Sequence, residues 1–455
     1  MSIRFQNLAR HPDIGTNSYL LEFGDTRFVL DAGTHPKHPG YETLPLFNEL
    51  DSESLDAIFI SHPHLDHIGA LPCLSRDQQS APVIMSEGTK QAGRALLHNS
   101  VNVMTALRKE LDEPAYPLYS HRQIDGQYKS WMTQDLRKPF SLGSIDRVKC
   151  EFFHAGHVLG AVGISFEYEG RSVFYTGDVH FEDQTVTKAA EFPTENIDDL
   201  IMESTRGDSP RDPEYCRDKE KAKFGQIIAE TLAGGGAVLI PVFAFGKTQE
   251  VALMLKELMD EGEIPMSPVH IGGLSSKMTA ISDEYSDSNE RRHQNFKILQ
   301  EYPDLRVMPK GRSEPEYQPG HIYAISSGMM SENTVSNRFA KHIITNPKDA
   351  LLFVGYADPD TPAGKIQSAQ PGDSVVLDEK KGRKFPLKCH VQKFDFSGHA
   401  SRRQLVDYAV KVNPKRIILV HGDVPAKQWM QQEISSQLPH AEVIIPTPGQ
   451  SINLD

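Results

Sequence analysis

The chain has 455 residues, enough for two or three domains, and its 38 % hydrophobic and 24 % charged residues describe an ordinary globular protein with no run of the ~20 apolar residues a membrane span needs. Its four cysteines (Cys73, Cys150, Cys216, Cys389) are scattered and form no CxxC pair, which excludes a disulfide framework or a cysteine zinc site and fits a cytoplasmic protein. A net charge of −13 argues against a polyanionic partner for the surface as a whole, although it says little about any one groove.

From the N-terminus, Met1 to Gln6 shows no basic region followed by an apolar core, so no secretory signal is expected. Ala57-Ile58-Phe59-Ile60 reads as a buried strand. It runs into His62-Pro63-His64-Leu65-Asp66-His67, and Gly69-Ala70-Leu71 can open a helix. A loop leaving a strand end aims alternate side chains into one pocket. His62 and His64 can therefore hold one metal ion, while Asp66 and His67 point toward a second. Imidazole nitrogen with carboxylate oxygen is a donor mix that Zn²⁺ accepts in hydrolytic sites.

Leu200-Ile201-Met202 reads as a strand ending in the acid Glu203. An α/β unit follows: a turn at Gly234-Gly235-Gly236, a strand over 237–243, and a helix over 249–256 for which Thr248 is the expected cap. The polar segment 282–295 reads as an exposed helix or loop without chemistry. Strands are expected at 321–325 and 350–354, so alternation predicts a parallel sheet covered by helices. Between them, the small-residue turn Ser326-Ser327-Gly328, continuing to Ser331, is expected to open a helix and present N–H groups to a phosphate. Val443-Ile444-Ile445-Pro446 reads as a final strand.

The HxHxDH run resembles the signature of the metallo-β-lactamase superfamily, and the remaining motifs stand in order: Asp31 after Phe28-Val29-Leu30, His157 in His154-Ala155-Gly156-His157, Asp178 after Tyr175-Thr176-Gly177, and His421 after Ile417 to Val420. The long insertion between Asp178 and His421 resembles the β-CASP domain of its nucleic-acid-processing branch. Glu203-Ser204-Thr205, 234–246, Phe396-Ser397-Gly398-His399-Ala400 and His421 carry that likeness. The resemblance implies an αββα sandwich, residues 1–205 and 386–455, interrupted by an α/β β-CASP domain at 206–385, with single-stranded RNA expected in the cleft between the two.

The resemblance further implies two Zn²⁺ per chain, with His62, His64 and His157 on one, Asp66, His67 and His421 on the other, and Asp178 bridging. Asp31 is expected to accept a hydrogen bond from a ligand histidine and fix its tautomer. Two ions ~3.5–4 Å apart can hold a hydroxide and neutralise charge on a phosphodiester, and Asp66 can orient that nucleophile. Glu203 and His399 form a carboxylate–imidazole pair suited to protonating the departing 3′-oxygen, which would leave 5′-phosphate and 3′-hydroxyl ends.

A histidine at position 421 is typical of the RNA-cleaving members. Gly328-Met329 looks like the pre-mRNA 3′-end endonuclease and its prokaryotic relatives, whereas Ser397 to Ser401 looks more like RNase J, with Ser401 near a 5′-phosphate. Endonuclease and 5′-to-3′ exonuclease modes both stay open, as does a homodimer. Arg206 is a candidate contact for the substrate backbone; His154 and His180 are read as bystanders. The alternative is a DNA nuclease or a non-nucleic-acid metallo-hydrolase of the same fold.

Overall fold

The computed structural model describes residues 2–142, 147–308, 315–378 and 382–455. The chain forms two compact units: Met1–Asp183 with Ala189–Arg211 and His399–Asp455, and Gln184–Lys188 with Asp212–Gly398.

The first unit contains two seven-stranded sheets. In one the spatial order is Ser451–Asn453, Ile3–Asn7, Tyr19–Phe23, Thr26–Leu30, Ala57–Phe59, Val83–Met85, Trp131–Thr133. In the other it is Glu442–Ile444, Arg416–Val420, Asp199–Glu203, Arg171–Tyr175, Val162–Tyr168, Val148–His154, Phe140–Leu142. Strand side chains alternate between faces, so each sheet can serve two cores. Leu21, Phe28, Leu30 and Phe59 meet Phe152, Ile164, Phe166 and Ile418 in the layer between the sheets. Leu20, Val29 and Ile58 point the other way and pack with Leu71, Leu97 and Ile124, which lie on helices Leu71–Asp77, Glu87–Glu110 and His121–Tyr128. The second sheet likewise packs Leu200, Ile417 and Leu419 against helices Arg402–Val412 and Val424–Gln437. This is the αββα sandwich.

The second unit is an α/β layer around one six-stranded sheet, ordered Leu305–Val307, Val269–Ile271, Ile322–Ile325, Val238–Pro241, Ala350–Phe353, His390–Lys393, with every neighbouring pair parallel. Parallel strands covered on both faces read as unbroken apolar runs, and the three central strands are buried throughout. Val238 and Ile240 pack with Phe224, Val251 and Leu255, while Leu239 packs with Phe339, Ile343 and Ile366.

Two local expectations are corrected. Thr248 does not cap its helix, which runs Lys247–Asp260 from Gly246, a residue with φ +80°. That left-handed turn starts the helix before Thr248, whose hydroxyl donates to Phe243 O at 2.7 Å. Nor is 282–295 simply exposed: Arg291 is fully buried. Its guanidinium donates to Ser282 O, Ser282 Oγ and Phe296 O, each at 3.0 Å, and these bonds offset the desolvation of the charge.

Candidate metal centre

Asp31, His62, Asp178 and His421 each follow a strand of the first unit, from loops just beyond Leu30, Phe59, Tyr175 and Val420. Glu203 ends its own strand. The strands running to Asp31 and His62 pair in parallel, as do those running to Asp178, Glu203 and His421, so each sheet delivers its set to one edge. Asp31 and His421 sit at φ +59° and +43°, in the sparsely populated left-handed region for non-glycine residues.

Asp66 and His67 lie on a four-residue helix, Leu65–Ile68, pressed onto the loop after Asp31. Ala32 N donates to His67 O at 2.7 Å and Thr34 N to Leu65 O at 2.8 Å. A Cβ on Gly33 would stand 1.7 Å from Asp66 O, so only glycine permits this approach.

The seven expected ligands converge around Asp178. Its Oδ2 lies 3.4 Å from His62 Nε2 and 3.7 Å from His157 Nε2, which is itself 3.1 Å from His64 Nδ1. Its Oδ1 lies 3.4 Å from His67 Nε2 and 2.8 Å from His421 Nδ1. Asp66 Oδ2 stands 3.3 Å from His421 Nε2. Donor atoms of His62, His64, His157 and Asp178 fall within 4.8 Å of one another, and so do those of Asp66, His67 and His421.

The donor set fits divalent metal binding. His62 Nε2 is buried without a hydrogen bond among the described residues, as a nitrogen reserved for a cation would be. Burial pushes the imidazoles of His62 and His64 below their ordinary range, which favours the neutral, ligating form. Burial alone would raise Asp178, but His421, His67 and His62 outweigh it and hold the carboxyl well below its usual range. For His421, burial lowers and Asp178 raises; the carboxylate prevails and the imidazole is pushed up to about 10. The two carboxylates thus demand positive charge at this point, which protons or divalent cations can supply.

Asp31 accepts hydrogen bonds from Ser61 N, Ser61 Oγ and His67 Nδ1, each at 2.7 Å, and from Tyr175 Oη at 2.6 Å. His67 Nε2 is thereby left as the acceptor nitrogen, and Asn17 Nδ2 donates to it at 3.0 Å. Tyr19 Oη holds Asn17 Oδ1 at 3.0 Å. The sequence pointed to Asp31 but not to Ser61, Tyr175, Asn17 or Tyr19. Ser61, adjoining His62, and Tyr175, within the motif leading to Asp178, carried a local signal; Asn17 and Tyr19 carried none.

Glu203 is fully buried and its oxygens lie 3.1 and 3.2 Å from His399 Nδ1. Val179 N donates to Glu203 Oε1 at 2.6 Å and aims the carboxylate. His399 stands 4.0 Å from Asp178 Oδ2, with its ring 4.6 Å from that of His157. Burial lowers His399, but Glu203 and Asp178 raise it further, so the net shift is upward.

The remaining candidates fare differently. Ser401 caps helix Arg402–Val412 in a capping box with Gln404, so its hydroxyl is already engaged. Arg206 is half-buried in the turn after Glu203. Ser326, Ser327 and Gly328 belong to the second unit, after strand Ile322–Ile325, and do not open a helix. The next helix starts at Val335 under Thr334, and Met330 N is turned back onto Ser327 O at 3.2 Å. His154 and His180 are buried and lie outside the metal-capable donor groups found among the described residues.

Three family models match: the metallo-beta-lactamase superfamily over residues 11–209, the Beta-Casp domain over 248–366, and the Zn-dependent metallo-hydrolase RNA specificity domain over 384–446. Endoribonuclease YSH1 of Eremothecium gossypii is 29 % identical over 437 residues, covering 93 % of this chain and 55 % of that protein. Endoribonuclease ysh1 of Schizosaccharomyces pombe is 29 % identical over 452 residues (97 % and 57 %). Cleavage and polyadenylation specificity factor subunit 3-I of Arabidopsis thaliana is 28 % identical over 442 residues (96 % and 61 %). The chain thus spans little more than half the length of these curated relatives. A crystal structure of a protein of unknown function from Enterococcus faecalis V583 shares the fold at TM-score 0.58 and 14 % identity, with full coverage of both chains. The three domain matches together span most of the chain, which is built from a metallo-beta-lactamase superfamily domain with an inserted Beta-Casp domain and a Zn-dependent metallo-hydrolase RNA specificity domain.

Proposed function

We propose that the protein is a zinc-dependent ribonuclease that cuts single-stranded RNA internally, leaving 5′-phosphate and 3′-hydroxyl ends. The observation that carries this reading is the Glu203–His399 pair standing beside Asp178. A hydrolase of small esters with good leaving groups has little need of a positioned acid. A phosphodiester does, because its alkoxide leaving oxygen must be protonated. The endonucleolytic mode is supported by relatives that are themselves endoribonucleases.

His62, His64, His157 and Asp178 Oδ2 would hold one cation; Asp66, His67, His421 and Asp178 Oδ1 would hold the other. Two divalent cations there would neutralise phosphodiester charge and acidify water. Asp66 also orients the attacking water. Glu203 fixes the His399 ring through Nδ1 and favours its protonated form, and Nε2, on the far side of the ring, delivers the proton to the departing 3′-oxygen. The four cysteines are all free thiols, which supports a reducing compartment such as the cytoplasm. Among the described residues, no helix is long and apolar enough to cross a membrane.

A time course on 5′-monophosphorylated, 3′-labelled single-stranded RNA, resolved by length, tests the reading. Discrete internal fragments are expected. Stepwise shortening from the 5′ end would replace the endonuclease mode with an exonuclease, and intact RNA beside zinc-loaded protein would move DNA or another ester forward.

A further inference from the structure

Three consecutive residues lead the chain toward His399, and each is tied down within the second unit. Phe394 N donates to Phe353 O at 2.8 Å. Asp395 N donates to Glu220 Oε1 at 2.9 Å, and its carbonyl accepts from Tyr215 Oη at 2.8 Å. The Phe396 carbonyl accepts from Lys247 Nζ. The rings of Phe394 and Phe396 are buried against Phe224, with centroids 5.1 and 5.6 Å away, and the Arg217 guanidinium stands 5.4 Å over Phe396. Only Ser397 and Gly398 separate this anchor from His399. Beyond His399, Ala400 N donates to Val179 O at 2.7 Å.

Lys247 is the costly member of this set. It is the first residue of helix Lys247–Asp260, where the positive end of the helix dipole disfavours a cation. Burial also pushes its ammonium down to about 8, although Glu250 raises it. Both effects oppose a lysine here, so the stability of the helix does not account for it. Its hydrogen bond among the described residues goes to Phe396 O, and a charged donor makes the stronger kind of bond to a carbonyl.

We infer that Lys247 is a positioning residue for the proton donor: by holding Phe396 O it fixes the start of the segment that presents His399. The inference rests on the general-acid role given to His399 above. A proton must be delivered within hydrogen-bond reach of the departing oxygen, and a displacement of about 1 Å costs up to ~10²-fold. Glu203 orients the ring of His399. The bonds at Phe396 before it and Ala400 after it hold its backbone.

The test compares two substrates of the zinc-loaded full chain: single-stranded RNA, whose 3′-oxygen leaves only with a proton, and bis(p-nitrophenyl) phosphate, whose phenolate leaves without one. Lys247→Met keeps the length of the side chain and removes the donor. It should lower kcat on RNA about 10–100-fold with KM unchanged, and hydrolyse the aryl ester at the wild-type rate. Lys247→Arg, which restores a charged donor, should recover most of the loss. In a His399→Ala background Lys247→Met should cost nothing further, because the two residues act as one unit. Tyr215→Phe removes the neighbouring bond to Asp395 O without changing shape. It should show a smaller loss on RNA alone, and it carries the test if the methionine variant does not fold. Wild-type rates on RNA, equal losses on both substrates, a raised KM at unchanged kcat, or a full further loss in the His399→Ala background would overturn the positioning role and leave the ribonuclease reading standing. Wild-type protein that hydrolyses the aryl ester but no RNA would remove both.

Discussion

His67 Nδ1 donates to Asp31 Oδ2 at 2.7 Å, and both side chains are fully buried. The bond determines which nitrogen of His67 faces the cluster. Asp31→Asn should weaken metal binding roughly 10–100-fold, as loss of a ligand's hydrogen-bond partner does elsewhere. Chelator competition followed by metal analysis measures this directly; unchanged affinity would mean that the ring is held by packing alone.

His399→Ala should leave both metals bound and reduce turnover about 10²–10⁴-fold, the usual worth of a positioned acid. Native-rate cleavage by this variant would end the general-acid assignment. His421→Ala should differ, losing metal as well as activity, because its ring belongs to the Asp66–His67 donor group.

The pH profile follows from the upward shift of His399. An acid must be protonated, so activity persists up to its raised pKa and falls as pH rises through it. Glu203 is a cause of that shift. Glu203→Gln should therefore move the alkaline limb to lower pH, as read from log kcat/KM against pH on a short RNA. A limb that stays in place would assign it to a different group.

Removing metal should destabilise the first unit as well as silence it. The donors grouped with His62, His64 and His157 within 4.8 Å of one another include the buried carboxylate of Asp178, whose charge needs a partner. Thermal unfolding with and without chelator should show a rise in Tm on adding Zn²⁺, with about 2.7 kcal/mol of stabilisation at a hundredfold excess over Kd. Metal analysis should approach two ions per chain.

Gly33→Ala tests the backbone beneath the site. Its Cβ would collide with Asp66 O, so the four-residue helix bearing Asp66 and His67 must move. We expect loss of metal from the Asp66–His67–His421 group, with the His62–His64–His157 group less affected, visible by spectroscopy of the cobalt-substituted protein.

The sequence by itself indicated the architecture and nominated the side chains that cluster around Asp178. Unbroken apolar runs such as Phe28-Val29-Leu30 and Val238–Pro241, and short motifs at strand ends, are local patterns, legible without coordinates. The contact between Glu203 and His399 was inferred from residue chemistry and family motifs; its 3.1 Å geometry appeared only in the fold. Tertiary structure alone decided the rest. Tyr175 reaches Asp31 across 144 positions of chain, and Asn17 reaches His67 across 50, so no spacing rule could have paired them. The burial of Arg291, the hydroxyl of Ser401 spent on a helix cap and the bond from Lys247 to Phe396 share one physical reason. Each depends on what packs against the residue, and a linear pattern of polarity does not contain that.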